Sequence, residues 1–263
     1  MTRRIKRLAE FDLSLQIKDP TFIKTPRDYQ KNWLLNRSMN EFARDIYAIH
    51  DVAAKFVQGS EVQSLDDRTQ AELSDLEIME DWQIPIMQAM AEVVTAKRGN
   101  ILEIGFGRGV GSNLIQQCGA DSHTIIECND SIVSRFEIWR KQFRERNISI
   151  KHGLWQDVLP NLTEFDGIFF HTYPLKESDY VEQIANSTTF AEHFFEHAAA
   201  HLRKGGIFTY LSNEIDSLSR NHQRLLFKHF GSIELSMVSN LNLPEQVKDQ
   251  WWADSMVIVK ATK

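Results

Sequence analysis

This chain has few cysteines, no long apolar run and no excess of basic residues, and each absence excludes a class of protein. Cys118 and Cys128 are too few for a disulfide framework and lack the spacing of a zinc site, so we expect no metal and a reducing, cytoplasmic location. No apolar run reaches the roughly 18 residues that a membrane-spanning helix needs, which predicts no membrane partner. The net charge of −6 argues against a nucleic-acid partner.

The chain does contain many short apolar runs that alternate with helical patterns. Hydrophobic residues make up 42% of its 263 residues, which is enough for a packed core. The predicted strands are 101–104, 124–127, 148–151, 166–170, 207–211, 233–238 and 254–259. The predicted helices among them are 88–96, 112–117, 131–146, 190–202 and 221–230, with a turn at Gly205-Gly206. This alternation is typical of an α/β fold with a largely parallel, doubly wound sheet.

Residues 1–65 have a different pattern, and we predict a helical N-terminal extension ahead of an α/β domain at 66–263. Within 40–59, apolar residues such as Phe42, Ile46 and Ile49 recur at helical spacing. The apolar face of this helix needs a partner, which is either the α/β domain, with the helix as a lid, or a second subunit in a homodimer. A further helix with a charged face is predicted over 66–79.

The most informative stretch is a strand followed by alternate glycines, Gly105-x-Gly107-x-Gly109-x-Gly111. Glycine lets a backbone turn sharply and approach a ligand closely, and a strand–glycine–helix turn is a common way to hold a nucleotide. The spacing differs from the dinucleotide fingerprint. With Glu103 inside the strand, the pattern instead indicates S-adenosylmethionine binding, while the alternative is a glycine-rich surface turn.

Polar residues at the ends of the next two strands are candidates for the same site. Glu127 ends the second strand, where its carboxylate can accept hydrogen bonds from both ribose hydroxyls, and the alternative is a surface charge. Asn129 suits a helix cap as well as a ligand contact. After the third strand, Trp155 and Gln156 suit stacking and a polar contact to adenine, although a tryptophan here is equally suited to the core.

Five motifs together resemble guanidinoacetate N-methyltransferase and its relatives. They are LEIGFG at 102–107, IIECND at 125–130, GLWQD at 153–157, FDGI at 165–168 with TYPL at 172–175, and the pattern Met79-Glu80-x-Trp82-x-x-Pro85-x-Met87. The resemblance covers the chain from about residue 66 onward. It implies a Rossmann-like, seven-stranded class I methyltransferase sheet with helices on both faces. The cofactor contacts it implies are Met79, Met87, Phe106, Gly107, Arg108, Gly109, Val110, Gly111, Glu127, Cys128, Asn129, Trp155 and Gln156.

The chain departs from this family at the methyl acceptor. Gln83 stands where the family has a guanidine-binding glutamate, and His171 stands where it has an aspartate. Without these carboxylates a guanidinium loses its bidentate partners, so guanidinoacetate is not the expected acceptor. The family's next acceptor-contacting pair falls on Asn213 and Glu214. Glu214 replaces a threonine and either restores negative charge or simply begins a helix.

The expected function is therefore methylation of nitrogen on a small nitrogenous metabolite, a guanidine, an amine or an N-heteroaromatic compound, with S-adenosylmethionine as donor. His171 is the predicted base or orienting acceptor, because an unperturbed imidazole titrates near pH 6.5. The alternatives are O-methylation, since His171 could also deprotonate oxygen, and an inactive cofactor-binding subunit that regulates a partner. A protein-arginine acceptor is less favoured, because no acidic groove is evident in the sequence.

Overall fold

The structure is a computed structural model that describes residues 69–175, 187–244 and 254–263. The predicted helix over 40–59, the beginning of the predicted helix over 66–79 and the predicted domain boundary lie outside these residues. The described residues all belong to the unit Ser64–Lys263.

The described residues form a seven-stranded sheet in the order β3-β2-β1-β4-β5-β7-β6. The neighbouring strands from β3 to β5 are parallel, whereas β7 is antiparallel to both β5 and β6. Their bounds are β1 Asn100–Ile104, β2 Ser122–Glu127, β3 Ile148–His152, β4 Phe165–Phe170, β5 Leu202–Tyr210, β6 Ser232–Ser239 and β7 Ser255–Thr262. The strand order reverses beside β1, and ligands of open α/β sheets bind at that point, outside the carboxyl ends of the strands.

Short helices connect these strands. They are α1 Asp75–Ile78, α2 Ile84–Val94, α3 Val110–Gln117, α4 Asp130–Arg140, α5 Trp155–Val158, α6 Phe195–His201 and α7 Arg220–Leu226. Pro85 lies in the first turn of α2, where its missing N–H leaves no helical hydrogen bond unmade. Single 3-10 turns occupy Asp81–Gln83, Lys141–Phe143, Leu159–Asn161 and Phe190–Phe194.

The core lies on both faces of the sheet because neighbouring residues of each buried strand point in opposite directions. On one face, Leu102 and Phe208 pack with Phe194 and Phe195, which lie at the junction of the 3-10 turn and α6. On the other face, Ile101 and Phe169 pack against apolar residues of α2 and α3. The predicted arrangement, a sheet with helices on both faces, is confirmed.

Several predicted boundaries are wrong. In the described part of 66–79 only Asp75–Ile78 is α-helical, because the Thr69 and Ala71 carbonyl groups accept hydrogen bonds from the turn after β2. In the predicted helix over 131–146, the α-helix ends at Arg140. The guanidinium of Arg140 donates a hydrogen bond to the carbonyl oxygen of Arg146, in the segment that follows the helix. The predicted turn at Gly205-Gly206 lies inside β5, where Gly205 has a φ of 76° and the pairing with β4 is irregular.

Candidate active site

The glycine stretch forms a tight loop between β1 and α3. Gly105, Gly107 and Gly109 have φ angles of 88°, 53° and 76°, in the left-handed region that favours glycine. A Cβ at Gly105 would lie 2.5 Å from the carbonyl oxygen of His171, so the loop backbone lies directly against the chain that leaves β4. The sequence therefore brings the loop and the predicted acceptor residue to the same edge of the sheet.

Glu127 ends β2 beneath this loop and is almost fully buried. Its Oε2 accepts hydrogen bonds from the backbone N–H groups of Phe106, at 2.8 Å, and Gly107, at 3.3 Å. Its Oε1 accepts from the N–H groups of Cys128 and Asn129, both at 2.9 Å. The carboxylate thus joins the glycine loop to the turn after β2, a structural role that the sequence did not suggest.

An open cleft of about 680 Å³ lies at the carboxyl ends of β1, β2 and β4. The predicted site residues that line it are Met79, Met87, Phe106, Gly107, Arg108, Val110, Gly111, Glu127, Cys128, Asn129 and His171. A second cleft of about 470 Å³ is lined by Trp155 and Gln156, and it shares Gly105, Glu127 and Cys128 with the first. Gly109 lines neither cleft and begins α3 as its N-cap.

Two of these residues serve both interpretations that the sequence allowed. Asn129 lines the cleft and also caps α4, because its Oδ1 accepts a hydrogen bond from the N–H of Ile132 at 3.0 Å. Trp155 lines the second cleft and also packs edge-to-face on Phe194 in the core, with ring centres 5.0 Å apart. Core packing and a place beside a ligand are therefore compatible at both positions.

A strap formed by residues 73–81 borders the first cleft and is held by two arginines. Arg108 donates to the carbonyl oxygen of Met79 at 3.0 Å and to Asp81 at 2.7 Å. Arg135 donates to the carbonyl oxygen of Leu73 at 2.6 Å and to Asp75 at 2.8 Å. Arg108, a predicted cofactor contact, therefore also connects the glycine loop to this strap.

His171 follows β4 directly and lines the first cleft. Its Nε2 is buried and has no hydrogen-bond partner among the described residues. Desolvation by burial lowers the pKa of His171 to about 4, because charging the ring here would remove the ion from water without a compensating partner. The imidazole is therefore neutral at neutral pH, and its pKa lies well below the value of 6.5 on which the sequence argument relied.

The other predicted acceptor residues line neither of the two clefts. Gln83 is buried, and its Oε1 has no hydrogen-bond partner among the described residues. Asn213 is exposed with a φ of 53°. Glu214 faces His222 instead, with its Oε1 3.2 Å from His222 Nδ1 and 3.3 Å from the N–H of Ser219. Contact of Gln83, Asn213 and Glu214 with an acceptor stays a prediction.

Behind Glu214 lies a buried polar chain that reaches the core. His222 Nε2 is 2.5 Å from the hydroxyl oxygen of Tyr210, and both rings are fully buried. Burial, and secondarily the charge of Glu214, raise the pKa of Tyr210 well above its usual value. Tyr210 therefore stays protonated and can donate a hydrogen bond to His222. The contacts that Glu214 makes with His222 and Ser219 in this structure are those of a residue that anchors its loop.

Comparison with known proteins gives the family. The family model described as guanidinoacetate N-methyltransferase matches residues 52–238, well over half of the chain. The chain belongs to the guanidinoacetate N-methyltransferase family. This membership confirms the predicted resemblance and gives its enzyme class, the S-adenosylmethionine-dependent methyltransferases.

The curated relatives of this family member include longer proteins. It is 25% identical over 158 residues to protein arginine N-methyltransferase 2 of Yarrowia lipolytica, covering 56% of this chain and 30% of that protein. It is 32% identical over 111 residues to the protein of the same name from Emericella nidulans, covering 40% and 26%. The chain thus spans less than a third of either relative. An O-methyltransferase structure from Bacillus cereus shows 16% identity and a TM-score of 0.45, covering 79% of this chain and 95% of that one.

The residues of the cleft fit the cofactor of this family. Gly105, Gly107 and Gly111 line the cleft without a side chain of their own, and a Cβ at Gly111 would lie 2.6 Å from Oε1 of Glu103. Carboxylates, backbone amides and apolar side chains meet at one opening, as a ligand with a sugar, an amino acid and a purine requires. Glu103, which is not among the cofactor contacts predicted from the sequence, also lines the cleft. Its place in the strand just before the glycines was the signal that could have identified it.

Proposed function

We propose that this family member transfers a methyl group to a nitrogen atom of a small nitrogen-containing molecule other than guanidinoacetate. The observation that carries the proposal is His171, a neutral imidazole in the cleft wall where the family places a carboxylate. A neutral ring supports an N–H group by hydrogen bonding but does not neutralise a guanidinium.

On the donor side, the chain's task is to hold and orient. S-adenosylmethionine, when bound, supplies an electrophilic methyl group on its sulfonium. Glu127 offers its carboxylate oxygens to the ribose hydroxyls. These hydroxyls then compete with the backbone N–H groups from which Glu127 already accepts hydrogen bonds. Glu103 lines the cleft, and its Oε1 has no hydrogen-bond partner among the described residues, so it offers a carboxylate oxygen to the α-ammonium group. Trp155 and Gln156 line the neighbouring cleft, where they are available to the adenine.

On the acceptor side, His171 orients the attacking nitrogen. The buried Nε2 of His171 is unpartnered, so a hydrogen-bonded acceptor molecule would remove the energetic cost of that unpaired atom. An imidazole with a pKa of about 4 is a weak base, so alignment of the nitrogen lone pair is its main contribution. Apolar residues of the strap and of α2, including Ile78 and Met87, help to exclude water from the cleft.

A second candidate acceptor is an arginine side chain in a protein. The observation that favours it is the match to relatives named protein arginine N-methyltransferase 2. The shared part is limited to less than a third of each relative. This second candidate also requires a guanidinium to bind beside His171 and Gln83, whose side chains are neutral and do not compensate its charge.

One experiment separates these candidates. The chain is incubated with S-adenosylmethionine carrying a deuterated methyl group, together with a metabolite extract in one arm and a protein extract in the other. The proposal predicts a labelled small molecule, and fragmentation locates the label on nitrogen. Labelled arginine in protein digests without a labelled metabolite would contradict the proposal and favour the second candidate. The Glu127→Ala variant is the matched control, because the proposal requires labelling to fall with the loss of this carboxylate.

A further inference from the structure

Four buried polar side chains lie together beneath the glycine loop, and only one of them, Glu103, has a role in the proposed methyl transfer. Glu103 of β1, Ser112 and Gln116 of α3 and His123 of β2 are each at most 3% exposed. A buried carboxylate is costly unless neighbouring groups compensate its charge. The arrangement of the other three around Glu103 therefore calls for an explanation.

The contacts run in one direction, from α3 through β2 to the carboxylate. The side-chain nitrogen of Gln116 lies 3.1 Å from Nδ1 of His123. Because an amide nitrogen can only donate, Nδ1 accepts, and the proton of a neutral ring lies on Nε2. That nitrogen is 3.0 Å from Oε2 of Glu103 but lacks the alignment of a hydrogen bond, so the attraction is mainly electrostatic. Ser112 donates its hydroxyl proton to the same oxygen.

The two oxygens of Glu103 consequently face different surroundings. Oε2 is held by Ser112 and His123, whereas Oε1 lies next to Gly111 at the start of α3 and has no hydrogen-bond partner among the described residues. Since Glu103 lines the cleft, Oε1 is the oxygen available to a ligand there. The sheet register places Ile101 opposite His123 and Glu103 opposite Ile125, so both polar side chains lie on the face that α3 covers.

We propose that His123 and Gln116 are positioning residues that fix Glu103 for recognition of a ligand's ammonium group. This inference rests on the proposed function, which brings an α-ammonium group into the cleft. Removing the His123 ring would take away the electrostatic contact at Oε2 and leave that oxygen with the hydrogen bond from Ser112. The carboxylate would then be free to rotate, and Oε1 would lose its alignment. Only the contact between Glu103 and the ammonium group should weaken, whereas the contacts to the sugar and the base should stay intact.

The test is isothermal calorimetry on the full chain with two ligands. One ligand is S-adenosylhomocysteine, and the other is its analogue that lacks only the α-amino group. The wild-type chain is expected to prefer the first by about tenfold, as a charge-assisted hydrogen bond implies. In His123→Leu and Gln116→Leu this preference should fall to below about threefold, with the affinity for the amine-free ligand little changed. His123→Gln keeps an amide donor and should retain most of the preference.

The matched control is His222→Leu, which removes another fully buried histidine that lines neither cleft. It should keep the wild-type preference even if its melting temperature falls. Glu103→Gln should abolish the preference, and adding His123→Leu to it should cause no further loss. An equal weakening of both ligands in His123→Leu, or an unchanged preference there, would overturn the inference. No binding of S-adenosylhomocysteine to the wild-type chain would overturn the proposed function as well.

Discussion

The donor half of the site, around the glycine loop and Glu127, differs from the predicted acceptor half, around His171 and Gln83, in how its polar groups are satisfied. Around the glycine loop, each oxygen of Glu127 accepts two backbone hydrogen bonds, and Asn129 caps a helix. Near the predicted acceptor site, the buried Nε2 of His171 and Oε1 of Gln83 have no partner among the described residues. Satisfied networks fix a geometry before a ligand arrives, whereas unsatisfied atoms gain a partner only when a ligand supplies one. We infer that the surroundings of Glu127 and Asn129 are built in advance and that the surroundings of His171 are completed by the substrate.

The largest effect should come from disturbing the loop that both halves share. In Gly105→Ala, the new Cβ would meet the carbonyl oxygen of His171 at 2.5 Å, at a φ of 88°. We expect a loss of stability of about 3 kcal/mol or more and no measurable binding of S-adenosylhomocysteine. Urea unfolding and calorimetry provide the measurements.

Gly119→Ala is the matched control for this substitution. Gly119 has a similar φ of 83°, but its added Cβ would come no closer than 3.8 Å to any neighbour, the Nε of Arg98. Only the backbone strain, about 1–2 kcal/mol, should appear there. Equal losses at both positions would mean that the contact between the loop and His171 is unimportant.

The next largest effect should come from removing the carboxylate of the donor half. Glu127→Ala leaves the amides of Phe106, Gly107, Cys128 and Asn129 without their acceptor. We expect the affinity for S-adenosylhomocysteine to fall by about 100-fold and the free energy of unfolding to fall by about 2–4 kcal/mol. Glu137→Gln, on the exposed surface of α4, should change neither quantity. A normal affinity in Glu127→Ala would refute the proposed ribose contact.

In the acceptor half, the same kind of substitution should affect turnover instead of binding. His171→Gln should reduce the turnover number by about 100-fold, because the nitrogen to be methylated loses its orienting partner. The dissociation constant of S-adenosylhomocysteine should change by less than about twofold, since His171 is not a proposed cofactor contact. Parallel losses of turnover and affinity would remove the distinction between the halves.

The neutrality of His171 has a consequence for stability that can be measured without a substrate. Its folded-state pKa of about 4 lies below the unfolded value of 6.5, so between these values the unfolded chain binds the extra proton. This contribution to stability is complete above pH 6.5 and is lost as the pH falls toward 4. The urea midpoint of the wild-type chain should therefore decline more steeply than that of His171→Gln over this range. Parallel curves would show that the ring is not desolvated.

The sequence predicted the arrangement of the sheet and many of the residues that line the cleft around the glycine loop, because both depend on local patterns. Alternating apolar runs indicated the strands, and the glycine spacing placed Gly105 and Gly107 at the end of β1. What it could not predict depends on contacts between distant segments. The pKa of His171 follows from burial by residues elsewhere in the chain. The orientation of Glu214 depends on His222 of α7.

The smallest effect is expected from substituting Glu214, and the result decides whether this residue belongs to the acceptor half. It was predicted for the acceptor pocket, yet in the structure it contacts His222 and the N–H of Ser219, as a satisfied group does. If these contacts are its role, Glu214→Gln should lower the free energy of unfolding by about 1 kcal/mol and change turnover by less than about twofold. Ser212→Ala is a suitable comparison, because it removes a hydroxyl that accepts from the Glu214 N–H at 3.2 Å and should reduce stability in the same way. A large loss of turnover in Glu214→Gln alone would instead assign this carboxylate to the acceptor, and the acceptor half would then contain a charge suited to a cationic substrate.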